Sequence, residues 1–112
     1  MVLYLMDYKG TLDTFEDPVS FFGALRDRHE GNCLIVVMSG SEVPDLLVES
    51  ADLFWKKPVA VEDLLGLHGQ GVTRAIISDD FAPLSKAYCR ILTRIGFTVV
   101  EVDPGDLLTL LL

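Results

Sequence analysis

The stretch Val2-Leu3-Tyr4-Leu5-Met6-Asp7-Tyr8-Lys9-Gly10-Thr11 opens the chain with a short apolar run, an acid and a Gly-Thr pair. An apolar run of this length that stops near a glycine predicts a buried β-strand, here residues 2–6, followed by a turn. Asp7 then stands at the carboxyl end of that strand. Open parallel sheets bind their ligands at this edge, so Asp7 is the first candidate functional residue.

The rest of the chain alternates predicted strands and helices. Apolar segments predict further strands at 33–38, 53–55, 74–78 and 98–102, and a leucine-rich helix is predicted at 107–112. Asp17 is the predicted N-cap of the first helix, with Pro18 at its first position, and Ser41 is the predicted cap of the second. Strands that alternate with helices form a parallel sheet covered on both faces. The predicted fold class is therefore α/β, a doubly wound, Rossmann-like three-layer sandwich with a five-stranded parallel sheet.

Composition and charge exclude several classes of protein. Half of the 112 residues are hydrophobic, which is ample for the core of one domain. The formal net charge of −8 argues against nucleic acid and against anionic membrane surfaces as partners. No apolar run approaches the length of a membrane span, so we expect a cytoplasmic protein that does not enter the membrane.

Chemically useful side chains follow four of the predicted strands. Asp7 follows the first strand, Ser39 the second, Lys57 the third, and Asp79 with Asp80 the fourth. Because the carboxyl ends of parallel strands share one edge of the sheet, these residues should lie together. A carboxylate can attack phosphorus, Mg²⁺ held by further carboxylates offsets the charge, and lysine and serine can hold phosphoryl oxygens. The set therefore suits phosphoryl chemistry.

The same residues resemble the motifs of the haloacid dehalogenase (HAD) superfamily. Residues 7–11 resemble its first motif, Asp-x-Asp-x-Thr, with Lys9 in place of the second Asp. The later motifs, a Ser or Thr, a Lys and an acidic pair, are matched in order by Ser39, Lys57 and the pair Asp79-Asp80. The resemblance spans nearly the whole chain. It implies a HAD-like hydrolase of the phosphomonoesterase class that acts through an aspartyl-phosphate and uses Mg²⁺ as cofactor.

The resemblance also implies a metal site. Asp7 would be both nucleophile and metal ligand, and Lys9 would offer its backbone carbonyl to the ion. Asp80 would bind Mg²⁺ directly, with Asp79 acting directly or through water.

A phosphate site is implied beside the metal. Lys57 would stabilise the phosphoenzyme, and Lys56 would take its place if the motif is shifted by one residue. The phosphoryl group would be held by Thr11, Ser39, Gly40 and Lys57.

A second resemblance, to the receiver domains of response regulators, covers the same side chains. The acid pair, the phosphoacceptor, the hydroxyl and the Lys-Pro of such a domain are matched by Asp79-Asp80, Asp7, Ser39 and Lys57-Pro58. The acid pair comes last here, so the connectivity is permuted, and the expected strand order is 5-4-1-2-3. The linear order of the motifs favours the HAD assignment.

Lys9 decides which reaction this site would support. In HAD phosphatases the second Asp protonates the leaving group and activates the hydrolytic water, and a lysine with a pKa near ~10.4 is a poor general base. We therefore expect slow hydrolysis or none, unless Asp13, Glu16 or a partner supplies the base. Lys9 could stabilise an anionic leaving group, or it could occupy the site as a built-in cation and make the protein non-catalytic.

Two functional hypotheses follow. The first is an atypical Mg²⁺-dependent phosphatase or phosphotransferase that acts through Asp7. The second is a catalytically weak or inactive relative with a binding or regulatory role. A dehalogenase is a weaker third, because those enzymes lack a metal and normally carry a cap.

The gaps after the first and third motifs are too short for a cap domain. Residues 1–112 are therefore expected to form a single HAD-like domain with an open site, suited to a phosphorylated and even macromolecular substrate. The leucines of 107–112 are too many for one helix face. They favour either a homo-oligomer interface or packing along the edge of the sheet.

Overall fold

The computed structural model describes residues 1–112 and contains one parallel sheet of five strands. The strands are β1 (Val2–Asp7), β2 (Cys33–Ser39), β3 (Leu53–Lys56), β4 (Arg74–Ser78) and β5 (Thr98–Glu101). Their order is β3-β2-β1-β4-β5, which is the predicted order read from the other edge. The predicted α/β, doubly wound three-layer sandwich is confirmed.

Helices cover both faces of the sheet, as predicted. They are α1 (Pro18–Arg28), α2 (Asp45–Ser50), α3 (Val61–Gly69) and α4 (Ala82–Ile95), with short 3₁₀ helices at Leu12–Thr14 and Pro104–Leu111. Asp17 caps α1 as predicted, because its carboxylate accepts the Ser20 N–H at 3.1 Å. None of these helices combines the length and apolar character that a membrane crossing requires.

One local prediction was wrong. Ser41 does not cap α2, which begins at Asp45 directly after Pro44; Ser41 instead pairs with Ser39. The helix predicted at 107–112 is present as a 3₁₀ helix with the bounds Pro104–Leu111, so it begins three residues earlier than predicted.

The core consists of two apolar layers separated by the sheet. Tyr4 and Met6 of β1 pack towards α1, α2 and the C-terminal 3₁₀ helix, whereas Leu3 and Leu5 pack towards α3 and α4. Every residue of β1 is buried, which is expected for the central strand of a covered parallel sheet. Each buried aliphatic side chain contributes about 1.5–3 kcal/mol, so β1 is firmly held and carries Asp7 at its end.

The C-terminal leucines divide between the core and the surface. Leu107 is buried and Leu111 packs partly against the α1 layer, whereas Leu108 and Leu112 are 60% and 88% exposed. The Arg28 guanidinium donates hydrogen bonds to the carbonyls of Leu111 and Leu112, at 3.1 and 2.6 Å. The segment is therefore tied to α1, and a homo-oligomer interface formed by its exposed leucines stays a prediction.

Candidate functional site

The predicted site residues come from neighbouring strands. Asp7 ends β1, Asp79 follows β4 directly, and β1 and β4 are paired along their length. Lys57 follows β3, which is separated from β1 by β2, so its side chain has to cross the end of β2. It passes beside Gly40, where an added Cβ would lie 4.0 Å from the Cβ of Lys57. An added Cβ at that distance would make an ordinary van der Waals contact, so the path of the lysine does not depend on a glycine at position 40.

A buried ion-pair triad forms at this edge. The Lys57 ammonium lies 2.7 Å from Oδ1 of Asp7 and 2.6 Å from Oδ2 of Asp79. The side chains of Asp7, Asp79 and Lys57 are 5%, 0% and 16% exposed. One ammonium therefore faces two acids where water screens little, and when both acids are ionised the triad carries one negative charge in excess.

Lys57, and not Lys56, is the lysine of this cluster. Lys56 is exposed and makes no ion pair, while the side chain of Lys57 is held by two carboxylates. The Lys57 N–H also donates to the Ser39 carbonyl at 2.9 Å, which extends the β2–β3 pairing by one residue.

Three carboxylates at this edge could hold a metal ion. One oxygen each from Asp7, Asp79 and Asp80 lie within 4.8 Å of one another. Oxygens that share an octahedral Mg²⁺ at about 2.1 Å lie up to about 4.2 Å apart, so only small side-chain movements are needed. Carboxylate oxygens are also the donors that this hard cation prefers. The residues present therefore fit a divalent cation in both chemistry and spacing.

The three acids differ in how free they are to bind such an ion. Both oxygens of Asp79 are engaged, Oδ2 with Lys57 and Oδ1 with the Phe81 N–H at 2.9 Å. Asp80 is exposed and contacts Asp7. Asp7 and Asp80 are therefore the acids best placed for direct coordination.

The environment of Asp7 shifts its protonation. Burial raises the pKa of Asp7 from 3.8 to about 7, the hydrogen bond from Lys57 opposes this, and the nearby Asp80 and Asp79 add to the rise. Without a metal, Asp7 is thus partly protonated near neutral pH. A bound divalent cation would favour the carboxylate and release the proton.

The ammonium of Lys57 is held in its charged form. Burial lowers its pKa, but the hydrogen bonds to Asp7 and Asp79 outweigh that effect and raise the pKa above its ordinary value. Lys57 therefore acts as a fixed positive charge and not as a general base.

Gly10 brings the loop after β1 against Asp80. Its φ is +81°, a left-handed conformation, and an added Cβ would lie 2.1 Å from Oδ2 of Asp80. The Gly10 N–H donates to the Asp13 carboxylate at 2.7 Å, which closes the loop. Only glycine leaves the Asp80 carboxylate in its position.

Replacing Gly10 with alanine should therefore disturb the metal site. We expect about 1–2 kcal/mol of destabilisation from the left-handed backbone and, since Asp80 has to move, an affinity of the candidate site for a divalent cation such as Mg²⁺ that is about tenfold weaker. Thermal unfolding and Mg²⁺ titration measure the two effects. Gly23→Ala is the matched control: Gly23 lies in α1 with nothing within 4 Å of an added Cβ, so this variant should bind Mg²⁺ normally. Unchanged Mg²⁺ affinity in Gly10→Ala would contradict the role given to Asp80.

The phosphate-binding residues expected from the sequence are only partly free. The Ser39 hydroxyl is buried and pairs with Ser41, accepting its N–H at 3.0 Å and contacting its carbonyl at 3.0 Å. The buried Thr11 hydroxyl has no hydrogen-bond partner. The N–H groups of Gly40 and Lys9, in the loops after β2 and β1, have no acceptor either. Thr11 and these two amides are therefore free donors near the edge, whereas Ser39 would first have to leave Ser41.

Sequence reasoning missed two polar groups near this edge, the Lys9 N–H and the Ser78 hydroxyl. The Lys9 N–H could be identified only from the conformation of its loop. Ser78, the last residue of β4, has a buried hydroxyl without a partner. Its position inside an apolar run directly before two acids was the one available signal.

The side chains expected to modify catalysis do not reach Asp7. Lys9 is exposed and forms no ion pair, so the cation inside the acidic cluster is Lys57. Asp13 is exposed and accepts the Gly10 N–H. Glu16 lines a different groove, between α1 and the C-terminal 3₁₀ helix. No carboxylate outside the cluster contacts Asp7.

Comparison with known proteins adds no relative: no family model matches the chain, and no curated protein or solved structure is significantly similar to it.

Proposed function

We propose that this protein is an Mg²⁺-dependent phosphoryl-transfer domain in which Asp7 accepts the phosphoryl group. One observation carries the proposal: a half-buried lysine bridges the buried Asp7 and Asp79 beside a third acid, at the carboxyl edge of a parallel sheet. An ion pair with a purely structural role would be balanced in charge. A third acid beside this pair would only add to the cost of burying negative charge. The agreement with the linear order of HAD motifs supports the same chemistry.

The chain's own residues have distinct roles in the proposed reaction. A carboxylate oxygen of Asp7 attacks phosphorus as the bond from phosphorus to the leaving oxygen breaks. The leaving oxygen takes a proton from water. The Lys57 ammonium, the Thr11 hydroxyl and the Gly40 N–H donate to the phosphoryl oxygens. Mg²⁺, when bound by Asp7 and Asp80, with Asp79 directly or through water, supplies positive charge that offsets repulsion between Asp7 and the phosphoryl group.

Release of the phosphoryl group is expected to be slow. Water must attack phosphorus and break its bond to the Asp7 oxygen, and a general base normally assists this step. Neither Asp13 nor Glu16 contacts Asp7, and Lys9 is exposed. This observation favours the second candidate function, a phosphoacceptor with little turnover that serves a binding or regulatory role.

Labelling with a small phosphodonor tests the proposal. The protein is incubated with acetyl phosphate, with and without Mg²⁺, and its intact mass is followed over time. We expect an Mg²⁺-dependent gain of one phosphoryl group. A long-lived adduct indicates the regulatory acceptor, and rapid loss with steady phosphate release indicates a phosphatase. No adduct and no phosphate release would overturn the proposal.

Mg²⁺ binding should depend on pH because the ion competes with the proton on Asp7. The folded-state pKa of Asp7 is about 7, above its ordinary value of 3.8, so protonated Asp7 stabilises the metal-free fold at low pH. This contribution to the stability of the metal-free fold is fully present at a pH below 3.8, the ordinary pKa of the group, and it is lost as the pH rises through about 7. We therefore expect Mg²⁺ affinity to fall about tenfold per pH unit below that pKa and to level off above it. Calorimetric titrations at several pH values test this, and a flat profile in the wild type would contradict it.

A further inference from the structure

A groove lies on the surface between the loop after β2 and the end of β3. It has a volume of about 590 Å³ and is lined by Gly40, Glu42, Asp45, Phe54 and Lys56, among others. An adjoining hollow of about 450 Å³ shares Glu42 and Asp45 and extends to Tyr8, the neighbour of Asp7. Gly40, whose N–H has no acceptor, lies at the junction with the proposed phosphoryl site. Gly40 follows Ser39 at the end of β2, and Tyr8 follows Asp7 at the end of β1, so the groove and its adjoining hollow lie next to the edge that carries the proposed phosphoryl site.

The groove carries unpaired negative charge next to an apolar wall. Glu42 and Asp45 are exposed, and neither takes part in an ion pair. The one cation of the lining, Lys56, does not pair with either of them. Phe54 is 37% exposed and provides an aromatic surface in the same groove. This combination complements a long cationic side chain, whose stem packs on apolar groups while its charge meets a carboxylate.

We propose, on the basis of the phosphoryl-transfer function above, that the groove binds a peptide segment of a phosphorylated protein that carries a basic side chain close to its phosphorylated residue. The phosphoryl group reaches Asp7 and Lys57, and the arginine or lysine of the segment lies at Glu42 and Asp45 against Phe54. The same carboxylates repel acidic segments and polyphosphates, so the groove selects by charge.

Binding of matched peptides tests this inference. Two hydrolysis-resistant phosphonate peptides are compared by fluorescence anisotropy with Mg²⁺ present, one with arginine beside the phosphonate residue and one with glutamate there. We expect the wild type to bind the arginine peptide at least about tenfold more tightly at low salt, and most of this preference to disappear at high salt. The double variant Glu42→Gln/Asp45→Asn should lose most of the preference and still be phosphorylated by acetyl phosphate.

A charge-matched control separates the groove from the general field of an acidic protein. Asp27 and Glu30 are exposed and lie outside the groove, at the C-terminal end of α1 and just beyond it. The double variant Asp27→Asn/Glu30→Gln should keep the wild-type preference, and a loss as large as that in the groove variant would overturn the inference.

The remaining outcomes distinguish this inference from the proposed function. Equal affinity for the two peptides, or no binding of either, overturns the groove inference even where acetyl phosphate labels the protein. A preference for arginine without any labelling keeps the groove as a peptide site and rejects Asp7 as the acceptor. An aminoalkyl phosphate that binds as tightly as the arginine peptide assigns the groove to small molecules and overturns the peptide proposal.

Discussion

The Asp7→Asn variant is expected to lose phosphoryl transfer, by roughly a thousandfold or more, without losing stability. An amide oxygen is a poor nucleophile, so the adduct with acetyl phosphate should disappear. Stability should be kept because the substitution removes a buried carboxylate that lies beside Asp79 and Asp80. Lys57 retains its contact with Asp79 at 2.6 Å. Intact mass after labelling and thermal unfolding at pH 8 measure the two effects.

The stability effect of Mg²⁺ should change in the same variant. Mg²⁺ is expected to raise the unfolding temperature of the wild type and to raise that of Asp7→Asn much less, because one of the two best-placed ligands is gone. Asp106→Asn, which changes an exposed acid in the C-terminal 3₁₀ helix, should behave as wild type in both assays. Persistence of the adduct in Asp7→Asn would identify another acceptor.

The Lys57→Met variant is expected to be destabilised by about 3–5 kcal/mol at pH 8, because it leaves two buried carboxylates without their counter-ion. The loss should be smaller at pH 5, where Asp7, with its folded-state pKa of about 7, takes up a proton instead. Mg²⁺ should recover part of the loss at pH 8, since the ion replaces the missing positive charge. Denaturant unfolding at the two pH values, with and without Mg²⁺, measures these differences.

Lys56→Met is the matched control for this lysine. Lys56 is exposed and has no ion-pair partner, so its removal should change the free energy of unfolding by less than about 0.5 kcal/mol. Equal effects of the two substitutions would show that the Lys57 bridge does not hold the acids together.

The architecture follows from features that are local in the sequence. The continuous apolar runs of β1, β2 and β4 predict strands buried on both faces, and the helices between them impose parallel pairing. Once the sheet is parallel, Asp7 and Asp79 lie at the same carboxyl edge, and the pairing of β1 with β4 brings them together. The shared edge could be predicted from the alternation of strands and helices, whereas the strand order was predicted from the resemblance to receiver domains.

What the sequence could not supply depends on loop conformation and on side-chain rotamers. Ser41 has the residue type of a helix cap, but it pairs with Ser39 and leaves the start of α2 to Pro44. Gly10 reads as an ordinary turn residue, and only the folded loop places it against the Asp80 carboxylate.

The role of the first motif's lysine also needed the structure. The sequence left open whether Lys9 enters the acidic cluster as a cation. Lys9 is exposed, and Lys57 takes that position from a different strand. The direction of the backbone after β1 decides whether the Lys9 side chain enters the acidic cluster, and the sequence carries no signal for that direction.

The central claim is that Asp7 itself carries the phosphoryl group. Labelling with acetyl phosphate and Mg²⁺, followed by borohydride reduction of the acyl phosphate and peptide mass mapping, locates the modified residue. The account predicts a reduced side chain at position 7, dependent on both Mg²⁺ and the phosphodonor. Modification at Asp79, at Asp80 or at a residue outside the cluster, or an unmodified position 7 in protein that has bound Mg²⁺, would contradict it.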